Sequence, residues 1–96
     1  MPFAIVLAPE AVEDLERLKA AVRSTVKDAM ETHLRHAPEK TSRSRIKRLR
    51  GVSRPQYRLR VGDIRVFYDV AEGVVEVLAI VPKSETAAWL AQFGKL

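Results

Sequence analysis

Residues 57–67 read YRLRVGDIRVF, and this stretch decides the fold. Tyr57, Leu59 and Val61 alternate with Arg58 and Arg60; after Gly62-Asp63, Ile64 and Val66 alternate with Arg65 and Phe67. Period-two patterning on both sides of two turn residues predicts a β-hairpin. Glycine at the first central position supplies the positive φ of a type II′ turn. The register then places Val61 opposite Ile64, Arg60 opposite Arg65, Leu59 opposite Val66 and Arg58 opposite Phe67. Three guanidinium groups share one face, and two of them oppose each other, which costs up to about 1 kcal/mol per like-charged pair. A polyanion on that face would remove the cost. A solvated, salt-screened face with the arginine stems laid over apolar surface would also tolerate it. Relief of the opposed pair predicts that an Arg65→Ala chain folds as well as the parent, or slightly better.

Working outward, "PFAIVL" predicts a short first strand that ends at Ala8-Pro9, with Pro9 suited to the first turn of a helix. Val12, Leu15, Leu18, Val22, Val26, Met30 and Leu34 keep near-helical spacing between charged residues. A helix from about Pro9 to about His36 is long for so small a chain, so a break into two packed helices is expected between Leu18 and Ala21. "APEKTSRSR" is a polar connection. "EGVVEVLAIVPK" adds a strand after a Glu72-Gly73 turn. Ser84 is a helix N-cap candidate with Glu85 in the first turn, and Trp89, Leu90 and Phe93 give the short helix that follows an apolar side. The expected class is α+β, a single domain over residues 1–96. Its antiparallel sheet of about four strands, mixed at one edge, packs on two N-terminal helices and is followed by a short C-terminal helix. Strand parity sends Leu59, Val61, Ile64, Val66 and Tyr68 to the helices. Arg58, Arg60 and Arg65 go to an open opposite face.

Nearly half of the 96 residues are apolar, which argues against disorder. The absence of cysteine excludes disulfides and thiolate metal sites and fits a reducing compartment. With no leader pattern and no apolar run long enough to span a bilayer, a cytoplasmic protein without membrane partners is expected. The formal charge of +5 is unevenly placed: ten of the seventeen basic residues lie between Lys40 and Arg65, where Asp63 is the one acid. Arg45, Lys47, Arg48, Arg50 and Arg54 belong to that window and are candidate phosphate contacts. Such a concentrated patch is the footprint of a nucleic-acid binder, although an acidic protein would satisfy the same charges.

The run "IKRLRGVSRPQYRLRVGDIRVFYDVAEGVVEVLAIVPK" resembles the C-terminal half of the RelE/ParE superfamily of toxins from type II toxin–antitoxin systems, specifically its RelE branch, and the likeness extends over essentially the whole chain. "LRG" followed by "YRLRVGDIRVFY" carries it. The resemblance implies a RelE-like fold and an endoribonuclease, an mRNA interferase that cleaves messages on the ribosome without metal or other cofactor. It also implies a cognate antitoxin as partner in a heteromeric complex. By the same resemblance, Arg65 corresponds to the arginine that stabilises the scissile phosphate, Arg58 and Arg60 to the basic pair on the preceding strand, and Arg50 to the arginine of the "LRG" loop. Lys83 falls close to where the family often has a second active-site arginine. The implied chemistry is attack of a ribose 2′-hydroxyl on the adjacent phosphate, giving a cyclic phosphate and a free 5′-hydroxyl. This chain departs from the family at "PKSETAAWL": Ser84, Trp89 and Leu90 stand where active members commonly have an arginine and a tyrosine or histidine. Arginine is a poor general base, so phosphate binding survives these departures better than proton transfer does. A ParE-like inhibitor of DNA gyrase, acting by binding, and a non-catalytic antitoxin binder are the alternatives.

Glu85 is the carboxylate nearest the implied site. It is either a proton acceptor or a first-turn helix acid. Trp89 could stack on an exposed base or pack on the sheet or the antitoxin. Tyr57 and Tyr68 fall on the core side by parity. His33 and His36 have metal-ligand spacing without a third ligand, and an ordinary helix-terminus role accounts for them, so no metal is expected.

Overall fold

A computed structural model describes residues 2–96. The elements run β1 (Ala4–Leu7), α1 (Pro9–Glu16), α2 (Ala20–Leu34), β2 (Ile46–Arg48), β3 (Tyr57–Val61), β4 (Ile64–Ala71) and β5 (Val74–Pro82); a 3₁₀ turn (Lys83–Glu85) then leads into α3 (Thr86–Phe93). The sheet is five-stranded in the order β1-β5-β4-β3-β2, with β1 parallel to β5 and every other pairing antiparallel. This is the α+β architecture expected, with one strand more. β2 is three residues long, too short to show an alternation, and it extends the sheet beside β3 by pairing Lys47 with Arg58.

The hairpin has the register the pattern demanded, Arg60 opposite Arg65 included. Gly62 has φ 56° while Asp63 stays at negative φ, the combination a type II′ turn requires. β4 and β5 carry a bulge between Phe67 and Tyr68, where Leu78 is the extra residue. Its consequence is a change of parity along β5. Val75, Val77 and Ile80 all reach the helix-side core, which strict alternation forbids.

The α1–α2 break falls at Arg17–Lys19 without glycine or proline. Arg23 explains how it is held: its guanidinium donates to the carbonyls of Leu15 (3.2 Å), Glu16 (3.1 Å) and Leu18 (2.8 Å) at the end of α1 and in the junction that follows. Beyond the end of β1 the outer edge of β5 is covered in a similar way, Asp14 accepting from the backbone N–H of Ile80 at 3.0 Å. Leu15, Val26, Met30 and Leu34 pack on Leu59, Val66, Tyr68, Val75 and Val77 to form the main core. Val12 and Val22, which share the helical spacing, are both 39% exposed.

Two expectations need correction. The sheet face turned away from α1 and α2 is not open throughout: Phe67, Ala79 and Val81 form a second apolar cluster with Leu49, Trp89 and Leu90, because α3 folds back over it. Nor does Ser84 cap α3. Residues 83–85 form the 3₁₀ turn, Thr86 Oγ1 donates to the Lys83 carbonyl, and the helix begins at Thr86 with no side-chain cap.

Candidate nucleic-acid interface

The ladder assembles the basic face strand by strand. Lys47, Arg58 and Phe67 lie side by side across β2, β3 and β4, and Arg60, Arg65 and Val81 form the next row across β3, β4 and β5. Four cations therefore occupy the β2–β3–β4 part of the face, and the apolar cluster under α3 borders them. Among the described residues no carboxylate forms an ion pair with any of the four.

Their environments differ. Arg60 and Lys47 are exposed, Arg58 is half-buried, and Arg65 is only 6% exposed. Arg65 turns its Nη1 back to the carbonyls of Gly62 (2.8 Å) and Ile64 (3.1 Å). The hairpin's own turn thus accepts the charge that strand pairing would otherwise leave facing Arg60. Arg58 has no such outlet. Its Nε is buried without a hydrogen-bond partner. Burial, then the charges of Arg65 and Arg60, lower the proton affinity of its guanidinium. A buried, unpartnered donor among like charges is a costly arrangement, and an anion bound on the face would relieve the repulsion among the three guanidinium groups.

Lys83 and Arg45 arrive at the same end of the sheet. The backbone N–H of Lys83 donates to the Asp63 carbonyl at 2.7 Å, which sets it beside the hairpin turn. Arg45 donates through Nη1 to the Arg60 carbonyl at 3.3 Å and accepts from the Arg60 N–H through its own carbonyl. Arg50 is exposed in the loop after β2. The structure puts other candidates elsewhere. Arg48 lies on the helix side of the sheet edge, its guanidinium carbon 5.0 Å from the ring centre of Tyr57. Arg54 is held by Asp69 (2.8 Å) and Glu76 (2.9 Å) near the bulge. Trp89 lies flat on Phe67, with ring centres 4.9 Å apart and planes 6° from parallel. Glu85 pairs with none of the face arginines. It lines a groove of about 510 Å³ together with Glu10, Glu13, Asp14 and Glu76.

Two features escaped the sequence reading. The strand β2 is one: it sets Lys47, already a candidate from the charge window, beside Arg58, and its only sequence trace is Ile46 between polar neighbours. Tyr68 donates to the Pro38 carbonyl at 2.6 Å and stacks on Tyr57, so the polar connection after α2 is tied into the core. Among the described residues no group of three metal-ligating side chains comes together, and no helix is long and apolar enough to cross a membrane.

The model of the ParE toxin family, from the type II toxin–antitoxin system parDE, matches residues 5–87. None of the curated proteins matches the sequence significantly. Among solved structures, the archaeal RelE–RelB complex from Pyrococcus horikoshii has a chain that is 24% identical with a TM-score of 0.70, over 86% of this chain and 97% of that one. The toxin–antitoxin complex RelBE2 from Mycobacterium tuberculosis matches at 20% identity and a TM-score of 0.74, over 85% and 99%. A mutant of Escherichia coli RelE in the free state matches at 20% and 0.68, over 93% and 92%.

Proposed function

This chain belongs to the ParE toxin family of type II toxin–antitoxin systems, within the RelE/ParE superfamily, and from that premise we propose that it blocks translation by gripping the backbone of messenger RNA on its basic sheet face. One observation carries the reading: Arg58, Arg60 and Arg65 are gathered with no acid to balance them, and the buried Nε of Arg58 has no partner. A phosphodiester offers acceptors that match guanidinium geometry and the charge that stops the three from opposing one another. Single-stranded message fits better than duplex, because the face is a shallow strip bordered by α3 and not a groove reader.

In the cleavage this proposal includes, the 2′-oxygen forms a bond to phosphorus, the bond from phosphorus to the 5′-oxygen breaks, and the proton lost by the 2′-hydroxyl is balanced by one gained at the leaving oxygen. Arg58 and Arg60 hold the phosphate, Arg65 and Lys83 meet the negative charge that builds on its oxygens, and the ribosome aligns the message. No imidazole or carboxylate belongs to the basic rows, so proton transfer falls to water or to the ribosome. General acid–base help is worth about 10² to 10⁴ in rate, and a chain without it would be a slow nuclease.

That same lack of a proton-transfer group, together with the ParE family match, favours a second reading: inhibition of DNA gyrase by binding alone. Under either reading the partner is an antitoxin, as the RelE–RelB and RelBE2 complexes suggest for chains of this fold. The test is to induce the chain in cells and follow incorporation of labelled amino acid and labelled thymidine. Immediate loss of protein synthesis is the expected result, and immediate loss of DNA synthesis with translation continuing would overturn the proposal in favour of gyrase.

A further inference from the structure

Where the C-terminal end of α2 meets the loop into β2, a pocket of about 290 Å³ has Ala37, Ile46 and the side-chain stems as its apolar wall and brings Thr32, His33, Lys40, Thr41, Ser42 and Arg45 around it. No carboxylate lines it. Three hydroxyls, an ammonium, a guanidinium and an imidazole are the donor set that takes up a tetrahedral oxyanion. Ser42 is already positioned: its Oγ accepts from the backbone N–H groups of Arg45 (2.9 Å) and Ile46 (3.2 Å), which leaves its own hydrogen for another acceptor. Arg45 gives one N–H to the Arg60 carbonyl and keeps the others. Among the described residues Lys40 has no ion-pair partner. His33 is half-buried, and burial, followed by the charge of Arg45, lowers its proton affinity. The pocket is therefore an electropositive recess with spare donors, and it shares Arg45 with the end of the basic face.

We propose that this recess is a second phosphate-binding subsite, joined to the basic face through Arg45 and taking a phosphate group of the polynucleotide backbone where the strand leaves the sheet. The polynucleotide as source rests on the RNA reading given above; the pocket's affinity for phosphate does not. Bound phosphate places negative charge beside His33, so the ring signals of His33 report occupancy, and those of exposed His36 serve as an internal control.

The experiment follows both histidines by NMR in the folded chain, at constant pH and ionic strength. Inorganic phosphate is titrated against a chloride control, and then a short single-stranded oligoribonucleotide. Phosphate should move the His33 signals saturably and leave His36 in place. Lys40→Gln, an exposed position whose loss leaves the packing untouched, should weaken that response about tenfold, the loss expected of one charge-assisted hydrogen bond. The same variant should lower the log–log salt slope of oligoribonucleotide binding by about 0.7, the value for one phosphate contact on a single strand. His33 signals that ignore phosphate, or that move in step with His36, overturn the subsite. The two readings fail differently. If phosphate moves His33 but the oligoribonucleotide does not bind, the pocket stands as a site for free phosphate and the RNA reading falls. If the oligoribonucleotide binds with a slope that Lys40→Gln leaves unchanged and phosphate leaves His33 unmoved, the subsite falls and the RNA reading stands.

Discussion

Arg58 and Arg65 are neighbours on one face with opposite dispositions, and that contrast separates binding from stability. Arg65 is buried and donates to two carbonyls of its own turn, so Arg65→Ala should lower folding stability by about 1–3 kcal/mol, the cost of charged hydrogen bonds removed, as well as abolish growth inhibition. The geometry thus reverses the sign that the opposed arginines suggest from the sequence. Arg58, whose Nε has no partner, should behave otherwise: Arg58→Met keeps the packed stem, and its urea midpoint should equal or exceed the parent's while RNA affinity falls. A midpoint that drops as far as that of Arg65→Ala would show that the Arg58 guanidinium is satisfied in solution. Tyr68 gives a pH dependence. Burial, then Tyr57 and Glu39, raise its phenol above the ordinary value. The unfolded chain therefore releases this proton at lower pH than the folded one, so the contribution is complete below about pH 10 and is lost as the pH rises past it. Urea midpoints across the alkaline range should fall more steeply in the parent than in Tyr68→Phe, which at neutral pH gives up only the bond to Pro38, about 1 kcal/mol.

At the scale of elements, the hairpin was legible because its information is local: two alternating runs and a glycine turn specify strands, register and faces together. The helix break was legible from length alone, since a single long helix would overrun the sheet, yet its mechanism was not. Arg23 is one charged residue among many on an amphipathic helix, and only the approach of α2 to the end of α1 turns it into a cap for three carbonyls. Arg23→Met retains the stem and removes those bonds; it should lower folding stability by about 1–3 kcal/mol, read from urea unfolding. Hydrogen exchange should show the extra opening concentrated at residues 15–20, and a uniform loss of protection would mean that the junction is held by packing instead. β2 and the 3₁₀ turn were illegible for a related reason. Three residues cannot display a period, and whether Ser84 caps a helix depends on where the chain leaves β5, which the pairing of Pro82 with Ile64 decides.

Across the whole molecule, charge is unevenly spread: the basic rows on β2–β4 contain no acid, while the groove beside α1 mixes Glu10, Glu13, Asp14, Glu76 and Glu85 with Arg17, Arg54 and Lys95. A polyanion meeting the basic rows should bind with a strong salt dependence. With Lys47, Arg58 and Arg60 each neutralising one phosphate of a single strand, the log–log slope should lie near −0.7 per contact, read from RNA affinities over a range of salt. A flat dependence would remove RNA from the face. The sequence by itself determined the class of fold, the register and faces of the hairpin and the window that holds the positive charge, because alternation, turn chemistry and residue counts act over a few neighbouring positions. It also carried the resemblance to the RelE/ParE superfamily, which the match to the ParE toxin model supports at the level of the superfamily. Only the tertiary structure decided which of those charges are free. Arg54 is consumed by Asp69 and Glu76, Arg48 lies over Tyr57 on the other side, Trp89 is stacked on Phe67, and Arg65 is folded into its own turn while Arg58 is left without a partner. The reason is physical: a side chain's charge and shape are written in the sequence, but its partners come from strands and helices far along the chain, and those meet only when the sheet closes and α3 folds across it.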